Sequence, residues 1–142
     1  MKGFTLFEIL IVLGILAVLM SLTLPMGLGF YGSQQLGSGS QGIVQALRKA
    51  QLQAISQERD SSFGVYLAGH NYILFKGSSY ASRDPLYDEV SDIPQILNVS
   101  GLSEVVFSKL EGIPNMTGDI VLTGGGNTVK ININAAGRIN LE

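Results

Sequence analysis

From Phe4 to Leu24 the chain reads FTLFEILIVLGILAVLMSLTL, and no other stretch limits its fold as strongly. Fourteen of these 21 residues are Leu, Ile, Val or Phe. As a helix at ~1.5 Å per residue the run reaches about 31 Å, matching a bilayer core of ~30 Å. At ~0.3–0.6 kcal/mol each, its apolar residues favour insertion by roughly 4–8 kcal/mol. One carboxylate, Glu8, interrupts the run. A charge at mid-bilayer costs ~2.5–3.5 kcal/mol, and less near an end, so Glu8 does not veto insertion. Lys2 precedes the run and no Lys or Arg follows it before Arg48. The start is therefore expected to stay cytoplasmic and the rest to cross. The alternative is a secretory signal peptide, with an apolar core of about 7–15 residues and a small-residue cut site. This run is longer, holds an acid, and ends in Leu24-Pro25 without an A-x-A pattern.

The residues after Leu24 suffice for one small domain with a modest core. There is no cysteine, which excludes disulfides and thiolate metal sites. The net charge of −2 and the mixed signs exclude the basic stripe of a dedicated nucleic-acid binder. Pro25 lacks an amide for the helical ladder, so a kink or break is expected there. Gly27, Gly29, Gly32, Gly37, Gly39 and Gly42 follow, with Ser33, Ser38 and Ser40. Such a stretch is a poor helix former, so residues 27–40 are expected to form a flexible joint or a partly melted helix, serving as a hinge or a passive linker.

Helix is expected again over about 41–58, where Ile43, Leu47, Ala50 and Ala54 share a stripe that Val44 and Ile55 widen. Its apolar face should pack on a sheet. Phe63, Val65 and Leu67 alternate with Gly64 and Tyr66, then Ala68-Gly69-His70-Asn71 turns and Tyr72 to Lys76 returns, a hairpin pattern. Residues 77–94 read as a long loop. Further strand-like runs are Ile96–Val99, Glu104–Leu110, Ile120–Thr123, Val129–Asn134 and Arg138–Leu141, with a hairpin turn at Gly124-Gly125-Gly126-Asn127. One head helix and six or seven strands predict an α+β fold: a long N-terminal apolar helix, a break, then a second amphipathic helix on an antiparallel sheet.

Gly3-Phe4-Thr5-Leu6-Phe7-Glu8, the apolar run and Pro25 together resemble the N-terminal signal of bacterial type IV pilins and type II secretion pseudopilins. The order of the later pieces, ALRKAQLQAIS, VVFSKLEGIP and INAAGRINLE, resembles the GspH/FimT type of minor pseudopilin. The resemblance implies a leader of residues 1–3, cut between Gly3 and Phe4 by a prepilin peptidase that also methylates the new Phe4 amine. It implies a filament-core helix over 4–26, a kink at Pro25 and a head over 41–142. It further implies a single-pass protein of the bacterial inner membrane, first held in lipid. An assembly platform then builds it, with other pilin or pseudopilin subunits, into an extracytoplasmic filament. Glu8 then becomes an assembly residue. After the cut, Phe4 carries an ammonium four residues from Glu8, on one helix face. Such charges ~4 Å apart attract by about 4 kcal/mol at an effective dielectric of 20. A neighbour's amine would relieve the acid equally well. The alternative is that Glu8 only caps its own helix.

The rest of the chain offers little chemistry. His70 sits in a turn with no nucleophile in view. The glycines at 124–126 precede a strand pattern, whereas a phosphate loop needs a helix behind it. Asp84, Asp88, Glu89 and Asp92 offer hard oxygens of the kind calcium takes, but not at EF-hand spacing. A solvated acidic loop is the plainer reading. Asn98-Val99-Ser100 and Asn115-Met116-Thr117 match a glycosylation sequon that is frequent by chance. The expectation is no catalytic residue, no cofactor and no enzyme. A tip subunit that captures DNA is the alternative function. Lys130 and Arg138 are too few cations near the end for it, since each phosphate contact needs one.

Overall fold

The computed structural model describes residues 3–142, with side chains described for all but residues 22–28. One helix, α1, runs unbroken from Leu6 to Ile55. At ~1.5 Å per residue it is about 75 Å long. Strands β1 (Phe63–Ala68), β2 (Asn71–Lys76), β3 (Glu89–Asp92), β4 (Asn98–Gly101), β5 (Glu104–Phe107), β6 (Gly118–Gly124), β7 (Asn127–Ile133) and β8 (Ile139–Leu141) follow, with 3-10 turns at Glu58–Asp60 and Pro85–Tyr87. The α+β class is as expected.

The eight strands form two antiparallel sheets, ordered β3-β2-β1-β5 and β4-β6-β7-β8. β1 is central in the first, with Phe63 opposite Lys76 on one side and Phe107 on the other. In the second, β6 and β7 pair over their full length, from Gly118 opposite Ile133 to Gly124 opposite Asn127. Gly125 and Gly126 close that hairpin with φ of 60° and 81°, the left-handed pair that a two-residue turn demands. α1 packs against strands of both sheets. Ile43, Leu47, Ala50 and Ala54 meet Phe107, Leu97, Ile120, Leu122, Ile131 and Ile133 in one core.

The break expected near Pro25, and the hinge over 27–40, are corrected: residues 27–40 are helical and belong to α1. The helix also continues through Pro25, whose side chain lies outside those described. A proline removes one ladder bond, a local loss within a helix of 50 residues. The glycines stay helical because several of them face the head. A Cβ on Gly32 would lie 2.7 Å from Gly125 Cα, one on Gly39 2.7 Å from Leu97 Cδ1, and one on Gly42 3.0 Å from the Tyr72 hydroxyl. Leu36 and Ser40 are buried between them. The buried stripe thus begins ten or so residues earlier than hydrophobicity shows, because glycine and serine can lie on a buried face as well as leucine can. Packing overrides the weak intrinsic propensity.

Two smaller differences follow the same logic. β3 lies inside the expected loop 77–94; its residues Glu89, Val90 and Asp92 are exposed, so it lacks the apolar alternation of a half-buried strand. Ile55 does not widen the buried stripe but is 45% exposed at the end of the helix.

Candidate functional site

The N-terminal end of α1 carries the sequence-predicted site. Gly3, Phe4 and Thr5 precede the helix and are exposed. Thr5 has the extended backbone of an N-cap, and its Oγ1 accepts from the Glu8 amide at 3.3 Å. A threonine cap satisfies one of the amides that a helix start leaves unpaired. Glu8 falls in the first turn, where the partial positive charge of the helix end favours a carboxylate. Phe4, Glu8, Ile9, Val12 and Leu13 line one shallow groove, so the Phe4 and Glu8 positions do share a face.

Every residue described from Gly3 to Ser21 is exposed, although nearly all are apolar. Phe4 is 80% exposed and Leu16 44%. Among the described residues, no Lys or Arg lies within ion-pair reach of Glu8. Exposed apolar patches of this extent mark protein or membrane interaction surfaces in general. Among the described residues, no helix is long and apolar enough to cross a membrane; the described part of the apolar run stops at Ser21.

The acidic residues singled out for calcium do not converge. Asp84 caps the 3-10 turn, accepting from Leu86 N at 3.2 Å. Asp88 holds Arg83 at 2.8 Å, and this contact raises the guanidinium pKa above its ordinary value. Arg83 in turn lies 3.8 Å over the Tyr80 ring, which stacks on Tyr66. Glu89 pairs with Lys49 at 2.6 Å, and Asp92 ends β3. Asp88 Oδ1 is buried without a partner. Among the described residues no three acidic or histidine groups gather around it or elsewhere as metal ligands. His70 is exposed in the β1–β2 turn, and the glycines at 124–126 are the β6–β7 turn.

Residues 1–24 match the family described as the prokaryotic N-terminal methylation motif. Both this match and the relative below support the resemblance to type IV pilins and pseudopilins. A pilin-like protein of Thermus thermophilus, PilA1, is 27% identical over 164 aligned positions, covering 99% of this chain and 98% of its own. No solved structure matches. Pilins are structural subunits that assemble with other pilins.

Thr5 was not among the site residues expected from the sequence. The signal was present in Thr5-Leu6-Phe7-Glu8, because Ser or Thr followed three residues later by Glu is a helix-start pattern. Gln51 was missed as well. Its Nε2 donates to the carbonyls of Gly112 and Gly137, at 3.0 and 2.9 Å, and so ties two distant loops to α1.

Proposed function

We propose that the chain is a minor pilin or pseudopilin, cut after Gly3, methylated at Phe4, and built into a type IV pilus or a type II secretion pseudopilus through α1. Residues 1–3 are the leader, 4–26 the filament-core part, and the remainder presents the head. The protein waits in the inner membrane with its start cytoplasmic. It meets the prepilin peptidase and the assembly platform there before it joins sister subunits outside.

The observation that carries this is the exposed apolar face from Phe4 to Met20, with Glu8 unpaired among the described residues. Lipid can cover the apolar side chains but cannot neutralise the acid. The liberated amine of Phe4, on the same chain or on a neighbour, can do so. A pair between chains would fix how far one helix is displaced along the next. Gly3 and Phe4 lie exposed and outside the helix, as a cleavable bond must.

The experiment is incorporation of Glu8→Leu into filaments in the parent cell, with N-terminal sequencing of the membrane pool. The expected result is a chain that begins at Phe4 yet is absent from filaments. Normal incorporation of Glu8→Leu would reject the pairing role, and a pool that keeps Met1 would reject the cut.

A further inference from the structure

Gly32 on α1 and Gly125 in the β6–β7 turn touch backbone to backbone. A Cβ on Gly32 would sit 2.7 Å from Gly125 Cα, and a Cβ on Gly125 2.9 Å from the Gly32 carbonyl carbon. Gly32 is buried by this contact, although its neighbours Tyr31 and Ser33 are exposed. Beside it, Asn127 Nδ2 donates to Ser33 Oγ at 2.9 Å, and the Ser33 hydroxyl donates to Gly29 O at 3.0 Å. Two turns further along the helix, Leu97 wedges between Gly39 and Gly124, where a Cβ would lie 2.7 and 2.3 Å from its methyls.

A helix held at one point can swing about that point. One held at two points along its axis has a set tilt. The Gly32–Gly125 contact and the Leu97 wedge are such points, both made by the end of the β6–β7 hairpin and the segment beside it. The core from Leu36 to Ala54 holds the far part of the helix, and among the described residues the hairpin end makes the contact nearest the N-terminal end, at Gly32.

We infer that Gly32, Ser33, Gly125 and Asn127 are positioning residues for assembly: they clasp the head to α1 and fix the angle at which the filament-forming end leaves it. This rests on the assembly reading above, because only in a filament must each head take its place from its own helix. The clasp joins α1 from Gly32 onward to the head as one piece, so the direction in which the helix leaves the head is set there.

Gly32→Ala tests this, with Gly37→Ala as its match. Both raise helix propensity, but a Cβ at Gly37 meets nothing within 4 Å. The chain has no cysteine, so Ser38→Cys and Thr128→Cys, both exposed positions, accept spin labels alone. The full chain is measured in detergent micelles by electron–electron distance spectroscopy, and in cells by filament incorporation. Gly32→Ala is expected to broaden the distance distribution and to lower incorporation about tenfold, within the range that forcing an extra methyl into a close contact produces. Gly37→Ala is expected to change neither. Asn127→Ala, which leaves the turn glycines untouched, is expected to broaden the distribution as well, with the melting transition of the head retained. A narrow distribution in Gly32→Ala, or equal effects of the two alanines, overturns the clasp. A broad distribution with normal incorporation overturns its role in assembly while leaving the Glu8 reading intact. Glu8→Leu that fails to assemble with a narrow distribution supports both, and normal assembly of Glu8→Leu together with Gly32→Ala rejects both.

Discussion

The amide of Glu8 donates to the hydroxyl of Thr5, so the residue that starts α1 is also the one that fixes the backbone beneath the acid. The two lie three residues apart, Thr5 at the N-cap and Glu8 in the first turn. The helix start and the acid's position are therefore one structural unit.

Thr5→Ala should cost about 0.5–2 kcal/mol, confined to the first turn, because it removes the cap and nothing else packs there. Amide exchange at Leu6 to Ile9 in micelles should speed up while exchange in the head is unchanged. Thr5→Ser should restore the slow exchange, since it keeps the oxygen.

Gln51→Leu should destabilise the head by about 1–3 kcal/mol. It strips the donor from the Gly112 and Gly137 carbonyls, which come from loops on two different strand connections. Denaturant unfolding should show a lower midpoint with an unchanged slope, the mark of altered stability without altered compactness.

Leu97→Ala should cost about 2–5 kcal/mol, the range for emptying a closed apolar site. Leu97 is fully buried and fills the space between Gly39 and Gly124. Leu86→Ala, at a position 81% exposed, should stay within about 0.5 kcal/mol. Parallel thermal melts of the two variants check the contrast.

Lys109 hydrogen-bonds to Asp60 and, with its charge adding to that bond, holds the aspartate pKa below the ordinary 3.8. A depressed carboxylate stabilises the fold above its unfolded value and loses that contribution as the pH falls through the folded one. The difference in melting between wild type and Lys109→Met should therefore be present at neutral pH and vanish in strong acid. It should be small and shrink with salt, since the Asp60 side chain is 83% exposed. Carboxyl titration by NMR should show the Asp60 pKa rising toward 3.8 in the variant.

The N-terminal motif was legible because its pattern is local. The spacing of Phe4 and Glu8, the apolar run and the Gly3-Phe4 junction all lie within one short segment, and helical geometry alone relates them. The β1–β2 and β6–β7 hairpins were legible for the same reason: alternating side chains flank a turn with residues that suit it. β3 was not, because an exposed edge strand carries charges that guard its edge rather than an apolar alternation.

The glycine stretch shows the boundary most clearly. Sequence determined that residues 27–42 are weak helix formers and that an acid stands in an apolar segment at a helix start. It could not determine that Gly32 meets Gly125 or Gly39 meets Leu97, since those partners lie far along the chain. Propensity is a property of the chain and its solvent, whereas a missing Cβ becomes useful only when another backbone arrives to fill the space. Tertiary structure therefore decided that Gly32, Gly39 and Gly42 join helix to head rather than separate them.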